Sequence, residues 1–97
     1  AYRDPLTGCL NRRSFYEQFE TAMAESRNHG IQLSCLMVDI DKFKRINDQF
    51  GHGVGDQAIQ AVANCLSTGL RLMDIIGRYG GEEFCLLGSG CEWHPAW

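Results

Sequence analysis

The sequence predicts an α/β (α+β) sandwich, a central buried strand and a β-hairpin with flanking helices, whose sheet is only partly present. Three observations carry that expectation. Phe15, Phe19, Ala22, Met23 and Ser26 fall at helical spacing, residues 35–38 are uninterrupted apolar sequence, and two short apolar runs flank Gly80-Gly81. The length, 97 residues, suits a single domain near the low end of the usual range.

Each element follows from local chemistry. Residues 1–10 read as an irregular lead-in punctuated by Pro5 and Gly8. Asn11 is a suitable N-cap for the first helix, and Gly30 is placed to end it. Cys35 to Val38 suits a strand buried on both faces at the centre of a sheet, and that strand runs into a carboxylate, Asp39. Asp41 to Asp56 is a compact polar stretch holding Gly51, Gly53 and Gly55. Ile59, Val62, Ala63, Leu66 and Leu70 then repeat at helical spacing, so a second long helix covers 55–71. Ile75 to Tyr79 and Glu83 to Leu87 read as two strands, and the glycines between them suit a tight primed turn with positive φ. From Gly88 onward the text has no period.

Composition narrows the function classes. Twelve acidic residues against nine Lys and Arg give a net charge of −3, which argues against broad nucleic-acid binding but leaves room for a small anion in a local basic pocket. No apolar run approaches the roughly 20 residues of a membrane-spanning helix. The chain opens at Ala1 without Met, a basic leader or a signal-type apolar core, and reads as a piece of something longer. Five cysteines, at 9, 35, 65, 85 and 91, include no C-x-x-C pair and no zinc-type spacing. Buried free thiols in a reducing cytoplasm are expected, with Cys35 and Cys85 in apolar runs and Cys65 in a helical pattern.

Several positions could carry chemistry. Asp39 and Asp41 bracket the strand end, where open α/β sheets place ligands, and Glu82 and Glu83 adjoin the hairpin turn. If the hairpin pairs beside the strand, these carboxylates converge and need a cation such as Mg²⁺ to offset their repulsion. On spacing alone, a polar turn and a solvated hairpin tip are the plainer reading. Lys42, Lys44 and Arg45 lie beside the strand end, where backbone N–H groups of a turn can hold phosphate. Asn47 and Asp56 could read a guanine edge; alternatively, Asp56 N-caps the second helix and His52 sits in an ordinary glycine-rich turn. Neither the G-x-x-x-x-G-K-[ST] nor the G-x-G-x-x-G fingerprint is present.

Three stretches read together change the balance. They are Asp4-x-Leu-Thr-Gly-x-Leu-Asn-Arg-Arg13, Asp39-Ile-Asp-x-Phe-Lys-x-Ile-Asn-Asp-x-x-Gly-His-x-x-Gly-Asp56 and Arg78-Tyr-Gly-Gly-Glu-Glu-Phe84. In that order and register they resemble the GGDEF family of bacterial diguanylate cyclases, with the signature in its Gly-Gly-Glu-Glu-Phe form. The resemblance implies a nucleotidyl-cyclase-like palm sandwich that joins two GTP into cyclic di-GMP, releasing two pyrophosphates, in a homodimer of facing domains. It implies Asp39, the Ile40 carbonyl and Glu82 as Mg²⁺ ligands (Mn²⁺ being the other candidate), with Glu83 assisting. By the same resemblance Glu82 accepts the 3′-hydroxyl proton and Lys44 stabilises the transition state. The backbone at Lys42-Phe43 resembles the phosphate cradle, Asn47 and Asp56 the guanine readers, and His52 lies close to the nucleotide. Arg71-Leu-Met-Asp74 is similar to the family's R-x-x-D inhibitory product site; a local ion pair is the alternative.

The resemblance spans residues 4–87, so 1–88 is expected to be the N-terminal portion of such a domain and 89–97 a tail that departs from its pattern. It also implies an upstream sensory or signalling domain and a cytoplasmic location, which includes the cytoplasmic part of a membrane-anchored sensor. Two other readings stand beside the enzyme. One is a non-catalytic receptor for GTP or cyclic di-GMP, and the other is an inactive truncated fragment.

Overall fold

The structure is a computed structural model that describes residues 2–69 and 75–89. In chain order it contains α1 (Arg12–His29), β1 (Leu33–Asp39), α2 (Phe43–Phe50), α3 (His52–Gly69), β2 (Ile75–Arg78) and β3 (Glu83–Ser89). The expected mixed sandwich is present, with α1 on one face of an antiparallel sheet and α2 and α3 on the other.

The first helix forms as its caps dictate. The Asn11 side chain accepts the Ser14 N–H at 2.9 Å, and Gly30, at φ 68°, donates its N–H to the Ser26 carbonyl. Phe15, Phe19 and Ala22 of this helix pack with Leu10, Cys85 and Leu87. Gly77 of β2 is where Phe15 seats: a Cβ there would lie 2.6–2.7 Å from Phe15 side-chain atoms.

The central strand is not the expected one. The sheet order is β1-β3-β2, so β3 lies in the middle and β1 at an edge. Phe84, Cys85, Leu86 and Leu87 are all buried, whereas Cys35 and Met37 of β1 are exposed while Leu36 and Val38 turn toward α3. The rule that a short unbroken apolar run is buried on both faces holds for β3, paired on both sides. β1 departs from it because α1 leans over β2 and β3 and, among β1 side chains, packs against Leu33. On the other face, Phe84 and Leu86 pack with Ile59 and Ala63 of α3, and burial of each such large side chain contributes about 1.5–3 kcal/mol.

The lead-in is more ordered than its composition suggests. Leu10 donates to the Ile76 carbonyl (3.1 Å) and accepts from Arg78 N–H (2.8 Å), which extends the sheet beyond β2 and covers that edge. Residues 41–56 are likewise not a turn. They hold α2, whose Phe43 and Ile46 sit at helical spacing, then Gly51 at φ 89°, then the start of α3. Because α3 begins at His52, Asp56 lies in its second turn and is not its N-cap.

The hairpin joins β2 to β3 as expected, but not through a primed turn. Neither Gly80 nor Gly81 has positive φ, and residues 79–83 span the gap between the paired Arg78 and Phe84. Tyr79 and Gly80 N–H groups both donate to the Glu83 carbonyl, at 2.8 and 3.3 Å, closing a longer loop that needs no left-handed residue. Cys9, Cys35, Cys65 and Cys85 are free thiols, two of them buried and two (Cys35 and Cys65) exposed, contrary to expectation. Burial, then Cys35 and Glu83 beside it, pushes the Cys85 thiol up to about 11. Cys91 and the tail from residue 90 lie outside the described residues.

Candidate active site at the strand end and hairpin

The sheet register brings the two acidic segments together. Asp39, the last residue of β1, pairs with Glu83, the first of β3, and the Ile40 N–H donates to the Glu82 carbonyl at 3.1 Å. The strand end and the hairpin are therefore locked by backbone, and no side chain need be ordered to hold them.

Around this junction lies a cleft of about 390 Å³ lined by Asp39, Ile40, Asp41, Lys42, Phe43, Lys44 and Glu82. Carboxylates enter from the strand end and the hairpin, and ammonium groups from the loop and first turn of α2. The chain reverses between β1 and α2 through Lys42, the one non-glycine residue with positive φ (57°) among the described residues. That conformation lets α2 start at Phe43, so its first N–H groups, which have no acceptor within the helix, face the cleft end.

Asp39, Ile40, Glu82, Lys42, Phe43 and Lys44 thus share one cleft. Glu83 does not line it: its carboxylate folds back against Gly80, and a Cβ at Gly80 would collide with it. Asn47 sits on α2 against Gly55 of α3, leaving no room for a Cβ there, and its Oδ1 is buried without a hydrogen-bond partner. An acceptor left so costs about 1–3 kcal/mol, and such an atom marks a place where a ligand donor would be welcome. Asp56 is the next residue along from Gly55 and is exposed, as is His52 at the first position of α3. These three lie on the α2–α3 pair and not in the carboxylate cleft. Arg71 and Asp74 fall outside the described residues. Among the described residues no three His, Cys, Asp or Glu side chains converge on one point. Asp39 and Glu82 nevertheless offer hard oxygen donors to one cleft, the donor chemistry that Mg²⁺ takes with substrate phosphates completing its shell.

Sequence reading gave no role to a tether behind this site. Arg78 Nη1 lies 3.1 and 3.2 Å from the two Asp4 carboxylate oxygens, and its Nη2 donates to the Gly81 carbonyl at 2.8 Å. Asp4 also accepts from the Thr7 N–H and hydroxyl, at 2.9 and 2.8 Å. Burial works against the Asp4 charge, but the Thr7 bonds and Arg78 outweigh it and hold the carboxyl below its ordinary value. The lead-in is thereby tied to the loop that carries Glu82. The signal was an acid and an Arg 74 residues apart, which no local periodicity links.

The fold places this cleft at one end of a sheet packed between helices, and comparison with known proteins names the family. The chain matches the family model "Diguanylate cyclase, GGDEF domain" over residues 1–95, and it belongs to the GGDEF family. It is 44% identical over 88 residues to the probable diguanylate cyclase DgcC of Escherichia coli K12, covering 91% of this chain and 24% of that protein. It is 46% identical over 87 residues to the diguanylate cyclase DgcP of Pseudomonas aeruginosa (90% and 13%), and 40% identical over 93 residues to the cyclic di-GMP phosphodiesterase NbdA of the same species (96% and 12%). The chain therefore spans a quarter or less of these relatives. Among solved structures, the GGDEF domain of DgcB from Caulobacter crescentus, in complex with c-di-GMP, superposes with a TM-score of 0.88 at 36% identity, over 95% of this chain and 54% of that one. The diguanylate cyclase SiaD of P. aeruginosa, in complex with its activator SiaC, gives 0.84 at 42% identity, over 90% and 34%. Among the described residues, no helix is long and apolar enough to cross a membrane.

Proposed function

We propose that this chain is the N-terminal portion (residues 1–88) of a diguanylate cyclase domain that, when complete, condenses two GTP into cyclic di-GMP and two pyrophosphates. The observation that carries the reading is the backbone lock between Ile40 and Glu82, which sets two carboxylates and the start of α2 around one cleft. Asp39, the Ile40 carbonyl and Glu82 would hold Mg²⁺ or Mn²⁺, and Glu83 would assist from outside the cleft, where its carboxylate lies against Gly80. When bound, that cation neutralises charge that develops on the phosphates.

The chain's own groups do the rest. Glu82 accepts the proton of the 3′-hydroxyl, and Lys44 places positive charge beside the reacting phosphate. The backbone at Lys42-Phe43 holds phosphate oxygens through N–H groups at the start of α2. Asn47 and Asp56 read the guanine edge, with His52 near the nucleotide. Each GTP is held by one domain and attacks the other, so the partner is a second domain of the same kind. Arg71 and Asp74 hold the product at an inhibitory site. An upstream sensory or signalling domain and a cytoplasmic setting accompany this reading.

In a domain completed to full family length, Asp39→Ala or Glu82→Ala abolishes cyclic di-GMP formation from GTP, read by chromatography. Unchanged turnover in either variant removes the metal assignment. In the same domain, Arg71→Ala relieves inhibition by added cyclic di-GMP with little change in initial rate; superimposable inhibition curves would make that pair structural. The 97-residue chain alone gives no turnover, because β1 is an edge strand among the described residues and the carboxylates lack the facing domain that near-attack placement requires.

A further inference from the structure

We propose that Cys35, Met37 and Cys85 form a three-sulfur site for a soft monovalent cation of the Cu(I) class, where the α1 side of the sheet runs from the buried Cys85 out to the exposed side chains of β1. The register places Met37 directly opposite Cys85, and opposed residues of an antiparallel pair point to the same face. Cys35, two residues before Met37, shares that face. Met37 Sδ and Cys85 Sγ are 3.5 Å apart, and Cys35, paired with Leu87 in the same register, is the diagonal neighbour of Cys85 on that face. Sulfurs that bind one ion at about 2.3 Å stand about 3.8–4.0 Å apart at trigonal or tetrahedral angles, so the observed separation needs an adjustment of under half an ångström.

The ligand set selects the ion. Two thiolates and a thioether are soft donors suited to Cu(I), whereas zinc prefers thiolate and imidazole, and Mg²⁺ requires oxygen. The setting also suits binding. Cys85 is only 5% exposed and sits on the central strand, held by pairing on both sides, while Met37 is 53% exposed and Cys35 is open to solvent. One ligand is therefore rigidly placed and the other two give the ion a way in. Binding releases one proton from each thiol to solvent and leaves copper in the Cu(I) state, so no oxidant or reductant takes part.

The test titrates the reduced 97-residue chain with Cu(I), without oxygen, against a chromogenic chelator. One equivalent should transfer to the chain, with X-ray absorption reporting sulfur-only neighbours. Cys35→Ser should weaken uptake by about a hundredfold and Met37→Leu by about tenfold, by the scale of lost metal-site contacts. Cys85→Ser should abolish it. Cys65→Ser/Cys91→Ser should bind as the parent does. Cys35 and Met37 are exposed, so these two variants carry the test even if Cys85→Ser loses its circular dichroism signature. Undiminished uptake in Cys35→Ser, loss of uptake in Cys65→Ser/Cys91→Ser, or no transfer from the chelator overturns the proposal.

Discussion

Replacing Asp4 by alanine should loosen both the lead-in and the hairpin loop. The substitution removes two acceptors from the Arg78 guanidinium and the shared acceptor of the Thr7 N–H and hydroxyl. Hydrogen bonds to charged groups contribute about 1.5–3 kcal/mol each, and breaking a fully buried ion pair costs about 3–5 kcal/mol. Here the two side chains keep 19% and 16% of their exposure, and Arg78 retains the Gly81 carbonyl. Solvent screening therefore brings the expected cost to about 2–3 kcal/mol. In a chain this short, that lowers the melting temperature by about 8–24 °C. Asp4→Asn separates charge from shape through its pH profile. The Asp4 carboxyl lies below its ordinary value of 3.8 when folded, so the unfolded chain takes up this proton first. Its contribution is complete above that ordinary value and is lost as pH falls through the lower, folded one. Asp4→Asn should be less stable than the parent at neutral pH, with the gap closing in acid. Thermal melts by circular dichroism from pH 7 to pH 2 decide it: equal midpoints at pH 7, or a gap that does not narrow in acid, would refute the reasoning.

Two further outcomes follow from close contacts. Gly77→Ala should cost about 1–3 kcal/mol by driving a methyl into the Phe15 side chain, and urea denaturation with an unchanged midpoint would contradict the packing. In the completed domain, Asn47→Ala and Asp56→Ala should reduce preference for GTP over ATP in competition, Asn47 the more because its buried Oδ1 has no partner within the chain; equal selectivity would remove both from base recognition.

What the sequence disclosed depended on the range of the cause. The N-cap at Asn11 and the stop at Gly30 are local events, and both are where the residue types indicate. The long helix was legible from its apolar period, although it starts at His52 and not at 55. α2 went unread because charge and glycine on either side masked the spacing of Phe43 and Ile46. The choice of central strand was not legible at all: Cys35 to Val38 and Phe84 to Leu87 are equivalent apolar runs, and which is covered depends on where α1 lands. That in turn is set by the space at Gly77, a contact between residues 62 positions apart in sequence. The convergence of Asp39 with Glu82 was legible as a conditional, because it required only that the hairpin pair beside β1. The Asp4–Arg78 tether had no local signature.

Lys42 offers the sharpest separation of stability from function. A non-glycine residue in the left-handed region costs about 1–2 kcal/mol, whereas glycine adopts it freely but gives up about 0.5–1 kcal/mol of chain entropy. Lys42 holds φ 57° with no side-chain cap bond to offset the strain, while it lines the cleft beside Asp39 and Glu82. A strained residue at a ligand cleft suggests that its side chain, not its backbone, is what the position retains. Lys42→Gly should therefore raise stability by about 0.5–1 kcal/mol, or roughly 2–8 °C in melting temperature, since relief of strain exceeds the entropy of glycine. The same change removes an ammonium group from the end of the cleft proposed to hold phosphate, so affinity for Mg²⁺-GTP in the completed domain should fall. A merely structural residue would move both quantities in the same direction. The two readouts, a melt of the chain and nucleotide titration of the domain, must move oppositely; a lower melting temperature would show that the turn depends on lysine for its shape, and unchanged affinity would take Lys42 out of the phosphate site.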